Sequence, residues 1–367
     1  MLDSSAEPTR SEVSSAFFQG LGGELMLLPT GIETAAHFGS VEAEYGALAD
    51  GVGVVARNWI DHLRVRGEDR QTFLNGKVTC ELDGRVPGEG AYGFVLDAKG
   101  HIQADTTIRV LEDAIWLELP AGRGPSVGEH LGRFIVIDRV EIEPLADLMP
   151  LTLVGSQARA TLESVFDPTL LPDCPWKVRH LAIESGGGRE VLVSSDGRWD
   201  MPALTLWPRA SDAAELVSCL LDAGRPFGAR LVGYQALDRY RIEAGIPWFG
   251  RDFGDANLPQ ETGEDEAVSY TKGCYLGQEV VARLHYRGQV SKLLCGLRFE
   301  ADEVPVPGTA LVLEDRPAGT LTSATFSPRL GSVVGMAILQ RRAAELGTRL
   351  GVEGGGHAEV TKSPLTA

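Results

Sequence analysis

The stretch GIPWFGRDFGDANLPQETGEDEAVSYTKGCYLGQEVVARLHYRGQVSK, residues 245–292, divides into three textures, and their order sets the fold class. Its first half is irregular, punctuated by Gly245, Pro247, Gly250, Gly254, Pro259 and Gly263. Long ordered loops of this kind in compact domains often carry function. The next part, YLGQEVVARLHYR (275–287), predicts a helix with Leu276, Val280 and Leu284 as its apolar stripe. Beyond Tyr286, residues 290–362 break into short runs such as KLLCGLRF, TALVLE, AGTLTSATFS and VVGMAIL, with Gly and Pro between them. That spacing predicts a small all-β barrel as a separate domain.

Cys274 falls at or just before the predicted helix start, with Lys272 upstream and Arg283, His285 and Arg287 towards the far end. A helix N-terminus and a nearby ammonium both favour a thiolate, the form that attacks electrophiles, binds soft metals or exchanges with disulfides. The other cysteines, Cys80, Cys174, Cys219 and Cys295, read as packing residues; Cys295 shares a strand face with Leu293 and Leu297. No C-x-x-C pair occurs, so neither a zinc ribbon nor a thioredoxin-like motif is suggested, and no metal site is expected.

Upstream, VGYQALDRYRIEAG (232–245) has helical spacing and stops at Gly245 with Pro247 beyond. AYGFVLDAKGHIQADTTIRVL (91–111) predicts a hairpin turning at Asp97-Ala98-Lys99-Gly100. On its second strand Ile102, Ala104, Thr106, Ile108 and Val110 form one face, and Gln103, Asp105, Thr107 and Arg109 the polar other. EDRQTFLNGKV (68–78) predicts a helix ending near Gly76. The expected architecture is α+β: a loose N-terminus over 1–20, a body over 21–287 with room for two subdomains, and a barrel over 288–360.

With 34 basic and 51 acidic residues the net charge is −17, which repels a nucleic-acid backbone, and no basic run with interleaved aromatics offsets it. Nucleic acid is thereby excluded as the main target. The polar start, MLDSSAEPTRSEVSS, is no secretory signal, and no apolar run reaches the ~20 residues that span a bilayer, so a cytoplasmic protein without a membrane partner is expected.

KGCYLGQEV (272–280) resembles the K-G-C-[YF]-x-G-Q-E motif of the YgfZ family. RIEAGIPWFGRD (241–252) and NLPQETGEDEAVSYT (257–271) resemble the same family and, more loosely, the aminomethyltransferase T-protein of glycine cleavage. FLNGKVTCEL (73–82) and DAKGHIQADTTI (97–108) fit the family's first half. The resemblance implies an aminomethyltransferase-like fold that binds tetrahydrofolate or a derivative. It places Glu243 at the pterin, where a carboxylate can accept N3–H and the 2-amino group together. It adds Arg241, Tyr92 and Gln278 as further folate-binding residues, and Asp105, beside Cys274 and Lys272, as a candidate catalytic group. Two places depart from the T-protein pattern. Ala104 stands where the relatives carry the other member of an aspartate pair, and SSDGRWDMPALTLWP (194–208) replaces a G-Y-T-G-E-x-G segment. The function implied is therefore support of iron–sulfur cluster assembly or repair through Cys274, with assembly or client proteins as partners. One cysteine cannot itself hold a cluster, for which four ligands are the norm. The alternatives are a folate-dependent aminomethyl transferase and a non-catalytic, folate-responsive adaptor.

Overall fold

The computed structural model describes residues 10–183, 189–301 and 303–362. The chain divides into two compact units, one built from 1–62 and 144–238, the other from 63–143 and 239–367.

The first unit centres on a six-stranded sheet in the order Val178–Ile183, Arg189–Ser195, Ala203–Leu206, Leu151–Val154, Gly53–Ala56 and Arg230–Leu231. Only the last pairing is parallel. Leu151–Val154 is buried at every position, as a run of apolar and Thr residues with no polar face must be. The helix Ala213–Gly224 contributes Leu216, Val217 and Leu220, one stripe at helical spacing, to the same core as Leu151, Leu153 and Leu204.

The expectation of a loose segment over 1–20 is corrected here: Arg10–Gly20 is a helix, and residues 1–9 lie outside the described residues. The cause is the apolar pair Phe17-Phe18 in an otherwise polar run. Phe18 is 1% exposed in the core, with Phe38 at 6.5 Å between ring centroids. Burial of that ring outweighs the polar character of its neighbours.

The second unit contains a five-stranded sheet and a barrel. The sheet order is Gly90–Leu96, Ile102–Val110, Ile115–Pro120, Ile60–Arg66 and Glu141–Pro144. Its first two strands are the predicted antiparallel hairpin. Asp97 Oδ1 accepts the N–H groups of Lys99 and His101 at 2.8 and 2.9 Å, and Gly100 takes a φ of 84°, so turn chemistry fixes the register. Ile102, Ala104, Ile108 and Val110 enter the core as their alternation predicts. The other face is polar and yet covered: Asp105, Thr107 and Arg109 are all buried. The helix expected over 68–78 is shorter, Arg70–Asn75, ending at Gly76.

Residues Lys292–Thr361 form a closed barrel. Around it run Lys292–Phe299, Ser332–Gln340, Arg316–Ser327, Ala310–Leu313, Arg349–Val352 and His357–Thr361, the last pairing back with the first. Closure leaves no free edge, and Leu297, Leu311, Leu321, Leu339, Leu350 and Val360 fill the interior. Mixed α and β elements followed by a closed all-β barrel are the architecture the sequence predicted.

Phe18→Ala should lower stability by about 3–5 kcal/mol through the cavity it leaves. Urea unfolding would show this as a lower midpoint at unchanged slope; an unchanged midpoint would mean that the N-terminal helix contributes nothing to the core.

Candidate functional site

Lys272 is the organising side chain of the loop that carries Cys274. Its Nζ donates to the carbonyl oxygens of Asn75 at 2.7 Å, Val78 at 3.1 Å and Cys80 at 2.6 Å. An ammonium has three protons, so all are taken. Burial draws the Lys272 ammonium's pKa below the usual lysine value, and the carbonyls are what it receives in place of water. Backbone contacts run alongside: Ser269 N–H donates to Thr79 O at 2.9 Å, and Leu276 N–H to Gly76 O at 3.1 Å. Thr79 Oγ1 donates to Ala267 O at 2.6 Å and accepts Phe94 N–H at 2.8 Å, joining the loop to the hairpin.

Lys272 thus fastens the loop, its three protons all directed at backbone carbonyls. The helix after Cys274 begins later than predicted, at Gln278. Gly277 precedes it with φ +82°, where a Cβ would come within 2.7 Å of Asp97 O in the hairpin turn. That close approach delays the helix start. Gln278 turns back on the loop, its Oε1 accepting Tyr275 N–H at 3.4 Å and its N–H donating to Tyr275 O at 3.1 Å. Tyr275 is buried and Cys274 is exposed. The loop therefore presents an exposed thiol between two anchors, Lys272 and Tyr275. Cys80 lies beneath, fully covered, and burial pushes its thiol up to about 11 against the opposing pull of Lys272. Cys295 is half-buried on its barrel strand, and burial pushes it to about 11 as well.

Glu243 ends the helix Tyr234–Glu243 and is completely buried. Its Oε2 accepts the hydroxyl proton of Ser327 at 2.5 Å, and Arg329 Nε lies 3.6 Å from Oε1. Arg241, expected beside it at the folate, has a structural place instead. It is fully buried and pairs with Asp252, donates to Ser323 Oγ at 2.8 Å, and lies over the Trp248 ring at 4.9 Å. Asp252 also accepts from Thr322 Oγ1 at 2.8 Å, Ser323 Oγ at 2.6 Å and Trp248 N–H at 3.0 Å. A buried ion pair this well surrounded by hydrogen bonds is the kind that holds.

Tyr92 and Asp105 do come together, the phenol donating to Asp105 Oδ2 at 2.9 Å with both side chains buried. Asp105 is thus no solvated strand charge but the acceptor of a buried hydrogen bond. Ser327 and Arg329 lie outside the motifs that carry the family resemblance. They meet the RIEAG segment only through the fold, Ser327 standing 84 positions from Glu243, and no local pattern signals such a pairing.

The donor set can be tested against a folate. A carboxylate offers about four lone-pair sites. Ser327 takes one on Oε2 and Arg329 faces Oε1 at ion-pair distance, and a paired N–H edge would compete with the contacts Glu243 already makes. The Glu243 side chain is 1% exposed, so such an edge would displace protein atoms, and Arg329, 42% exposed, is a partner that can swing into water. A carboxylate is the acceptor type that the paired N–H donors of a pterin require.

Two outcomes follow for this site. Lys272→Met leaves three buried carbonyls without their donor and should cost about 3 kcal/mol or more, read from the urea midpoint; a loss below about 0.5 kcal/mol would show that the clamp is dispensable. With iodoacetamide at neutral pH, the exposed Cys274 and Cys174 should be modified first. Cys80 and Cys295, each pushed to about 11, hold about 100-fold less thiolate than an ordinary thiol and should react only on unfolding. Early labelling of Cys80, seen by peptide mass, would contradict the buried arrangement.

Comparison with known proteins agrees with this architecture. The GCVT N-terminal domain matches residues 15–272, and the glycine cleavage T-protein C-terminal barrel domain matches 292–366. An aminomethyltransferase of Shouchella clausii is 28% identical over 341 residues, 91% of this chain and 92% of that protein. One from Bacillus subtilis is 25% identical over 339 residues, covering 88% and 89%. The crystal structure of glycine cleavage system aminomethyltransferase T from Bartonella henselae shares the fold, with a TM-score of 0.84 at 19% identity over 95% of each chain. With both of its domains matched along one chain, this protein belongs to the glycine-cleavage T-protein family.

Proposed function

We propose that this protein is a YgfZ-type member of the family that holds tetrahydrofolate with Glu243 at the pterin and uses Cys274 to support iron–sulfur cluster assembly or repair. Tetrahydrofolate is the cofactor of the family; when bound it supplies the nitrogens that carry one-carbon units. In this reading residues 21–287 form the folate-holding body and 288–360 the barrel that completes it. Glu243 accepts the paired donors of the pterin edge, while on the hairpin Tyr92 donates to Asp105, the candidate catalytic carboxylate. Gln278 keeps the Cys274 loop in shape. Lys272 and Arg241 stabilise the scaffold that carries these residues.

The observation that carries the proposal is the exposure of Cys274 on a loop fastened from beneath by Lys272. A thiol presented on a rigid support suits brief contact with a partner, whether for cluster contact, sulfur chemistry or redox exchange. The partners would be iron–sulfur assembly or client proteins. A second reading, folate-dependent aminomethyl transfer, is favoured by the names of the relatives, which align over most of this chain. A third, a folate-responsive adaptor without turnover, needs the same fold and no thiol chemistry.

Titration calorimetry with tetrahydrofolate tests the shared part. Glu243→Ala should weaken binding by about 1.5–3 kcal/mol, since it leaves the pterin donors unpaired; unchanged affinity would remove Glu243 from the site. Cys274→Ser then separates the readings. It should leave folate affinity within about twofold and abolish the protein's ability to restore activity to a cluster-depleted iron–sulfur enzyme. Retention of that ability, with aminomethyl transfer from a lipoyl carrier in both proteins, would favour the transferase reading.

A further inference from the structure

The helix Gln278–Arg287 and the chain leaving it carry a charge unlike that of the whole protein. Between Glu279 and Glu300 the sequence holds Arg283, Arg287, Lys292 and Arg298 and no acidic residue, in a chain with 51 acidic and 34 basic side chains. Arg283, Arg287 and Lys292 are exposed and enter no ion pair among the described residues. Arg341 N–H donates to Ser291 O at 2.8 Å, which brings a further exposed arginine of the barrel beside this stretch. Tyr286, next to Arg287 in the chain, is 66% exposed.

Local contacts fix this surface. Val281 is fully buried beneath the helix, and Gln260 Nε2 donates to Val281 O at 2.8 Å. His285 stacks on Tyr270 with ring centroids 3.6 Å apart and planes 16° from parallel, and meets Tyr286 edge-on at 4.8 Å. The Tyr286 hydroxyl donates to Tyr270 O at 3.4 Å. Tyr270 belongs to the Cys274 loop, between Ser269, bonded to Thr79, and the anchored Lys272. The aromatic group therefore ties the last turn of the helix to the loop that presents the thiol. Tyr286 is held in place beforehand, so docking demands little side-chain ordering. Tyr and Arg are also enriched among the residues that dominate binding at protein interfaces.

We propose that this face docks an acidic protein partner, with Arg283, Arg287 and Lys292 engaging its carboxylates and Tyr286 packing among them, and so brings that partner to Cys274. Charge complementarity selects the occupant. A compact acidic surface meets the patch within a Debye length of about 8 Å, where the local cations dominate over the chain's net −17. A nucleic acid or an anionic membrane extends past the patch and meets the negative remainder of the chain. The docking surface stands on the helix alone; its service to Cys274 rests on the reading of that thiol given above.

The probe is a fluorescein-labelled peptide of about 20 residues built from Glu, Asp, Leu and Trp, followed by anisotropy with the full chain at about 50 mM salt. Wild type should bind it. Arg283→Glu/Arg287→Glu should bind about tenfold more weakly or worse, and Arg283→Lys/Arg287→Lys, which keeps the charge, within about threefold of wild type. Arg287→Gln with Lys292→Gln removes charge without opposing the helix dipole and serves if the reversal perturbs the helix. Carbodiimide coupling, read by peptide mass, should join a peptide carboxylate to Lys292 Nζ. Equal affinity in the reversed variant, or coupling at Lys77, Lys99 or Lys177 in place of Lys292, would overturn the proposal. Tighter binding of a DNA duplex or of phosphatidylserine vesicles through the same arginines would overturn it too, as would a dimer in sedimentation that the reversal dissolves, because the occupant would then be a nucleic acid, a membrane or a second copy. Cys274→Ser should keep peptide affinity within about twofold and abolish reactivation of a cluster-depleted enzyme, whereas the reversed variant should lose both. Full reactivation by the reversed variant would detach the surface from Cys274 and overturn the proposal. Reactivation retained in Cys274→Ser would remove that reading of the thiol and leave the docking surface to be decided by the peptide alone.

Discussion

Three carbonyl oxygens, those of Asn75, Val78 and Cys80, converge on the ammonium of Lys272, and the arrangement of the Cys274 loop depends on that convergence. A buried lysine is unfavourable unless its protons are all bonded, and buried carbonyls are unfavourable unless each finds a donor. Each half of the contact answers the other's requirement. Because the carbonyls belong to the segment leading into the hairpin, the loop cannot shift without breaking three bonds at once. Cys274 inherits its exposure from this fixity: the chain on either side is held down by Lys272 and Tyr275, and the thiol stands between them.

A second constraint works at the other end of the site segment. Arg241 and Glu243 are both fully buried, and both are answered from the strand Arg316–Ser327, one through Ser323 and the other through Ser327. The barrel is thus more than an appended domain: within this unit it supplies the hydrogen bonds that keep two charges stable in the interior. The loop between them contributes Asp252, whose carboxylate neutralises Arg241 and gathers two further hydroxyls.

Much of this was legible in the amino-acid order, and what was not has a common cause. The hairpin over 91–111 could be read because strand alternation and an Asp–Gly turn are both local signals. The barrel could be read because Gly and Pro interrupt short strands at regular intervals. Glu243 and Cys274 stood out through the motifs around them. Alternation did separate Asp105 from the apolar face, but it says only that a face is polar, never whether solvent reaches it; Tyr92 and Asp105 in fact meet in the interior. Chain proximity pairs Lys272 with Cys274, whereas the carbonyls that bind its ammonium lie 192 to 197 positions earlier. The two phenylalanines of the N-terminal helix give no sequence signal, because a short apolar pair in a polar run has no periodicity.

That distance of 197 positions between Lys272 and Asn75 also bears on how the chain comes to be folded during its synthesis. A ribosome delivers the chain from its N-terminus at roughly 5–20 residues per second. The hairpin can pair as soon as both strands emerge, since its contacts are close in sequence. Its neighbouring carbonyls must then wait, hydrated and undirected, for roughly ten to forty seconds until the lysine is made. The carboxylate of Glu243 waits in the same way for the hydroxyl of Ser327, 84 positions later. The Cys274 loop therefore sets long after the hairpin it rests on, and a nascent chain stalled before residue 272 would possess the hairpin without the lysine that fastens the loop to its neighbouring segment.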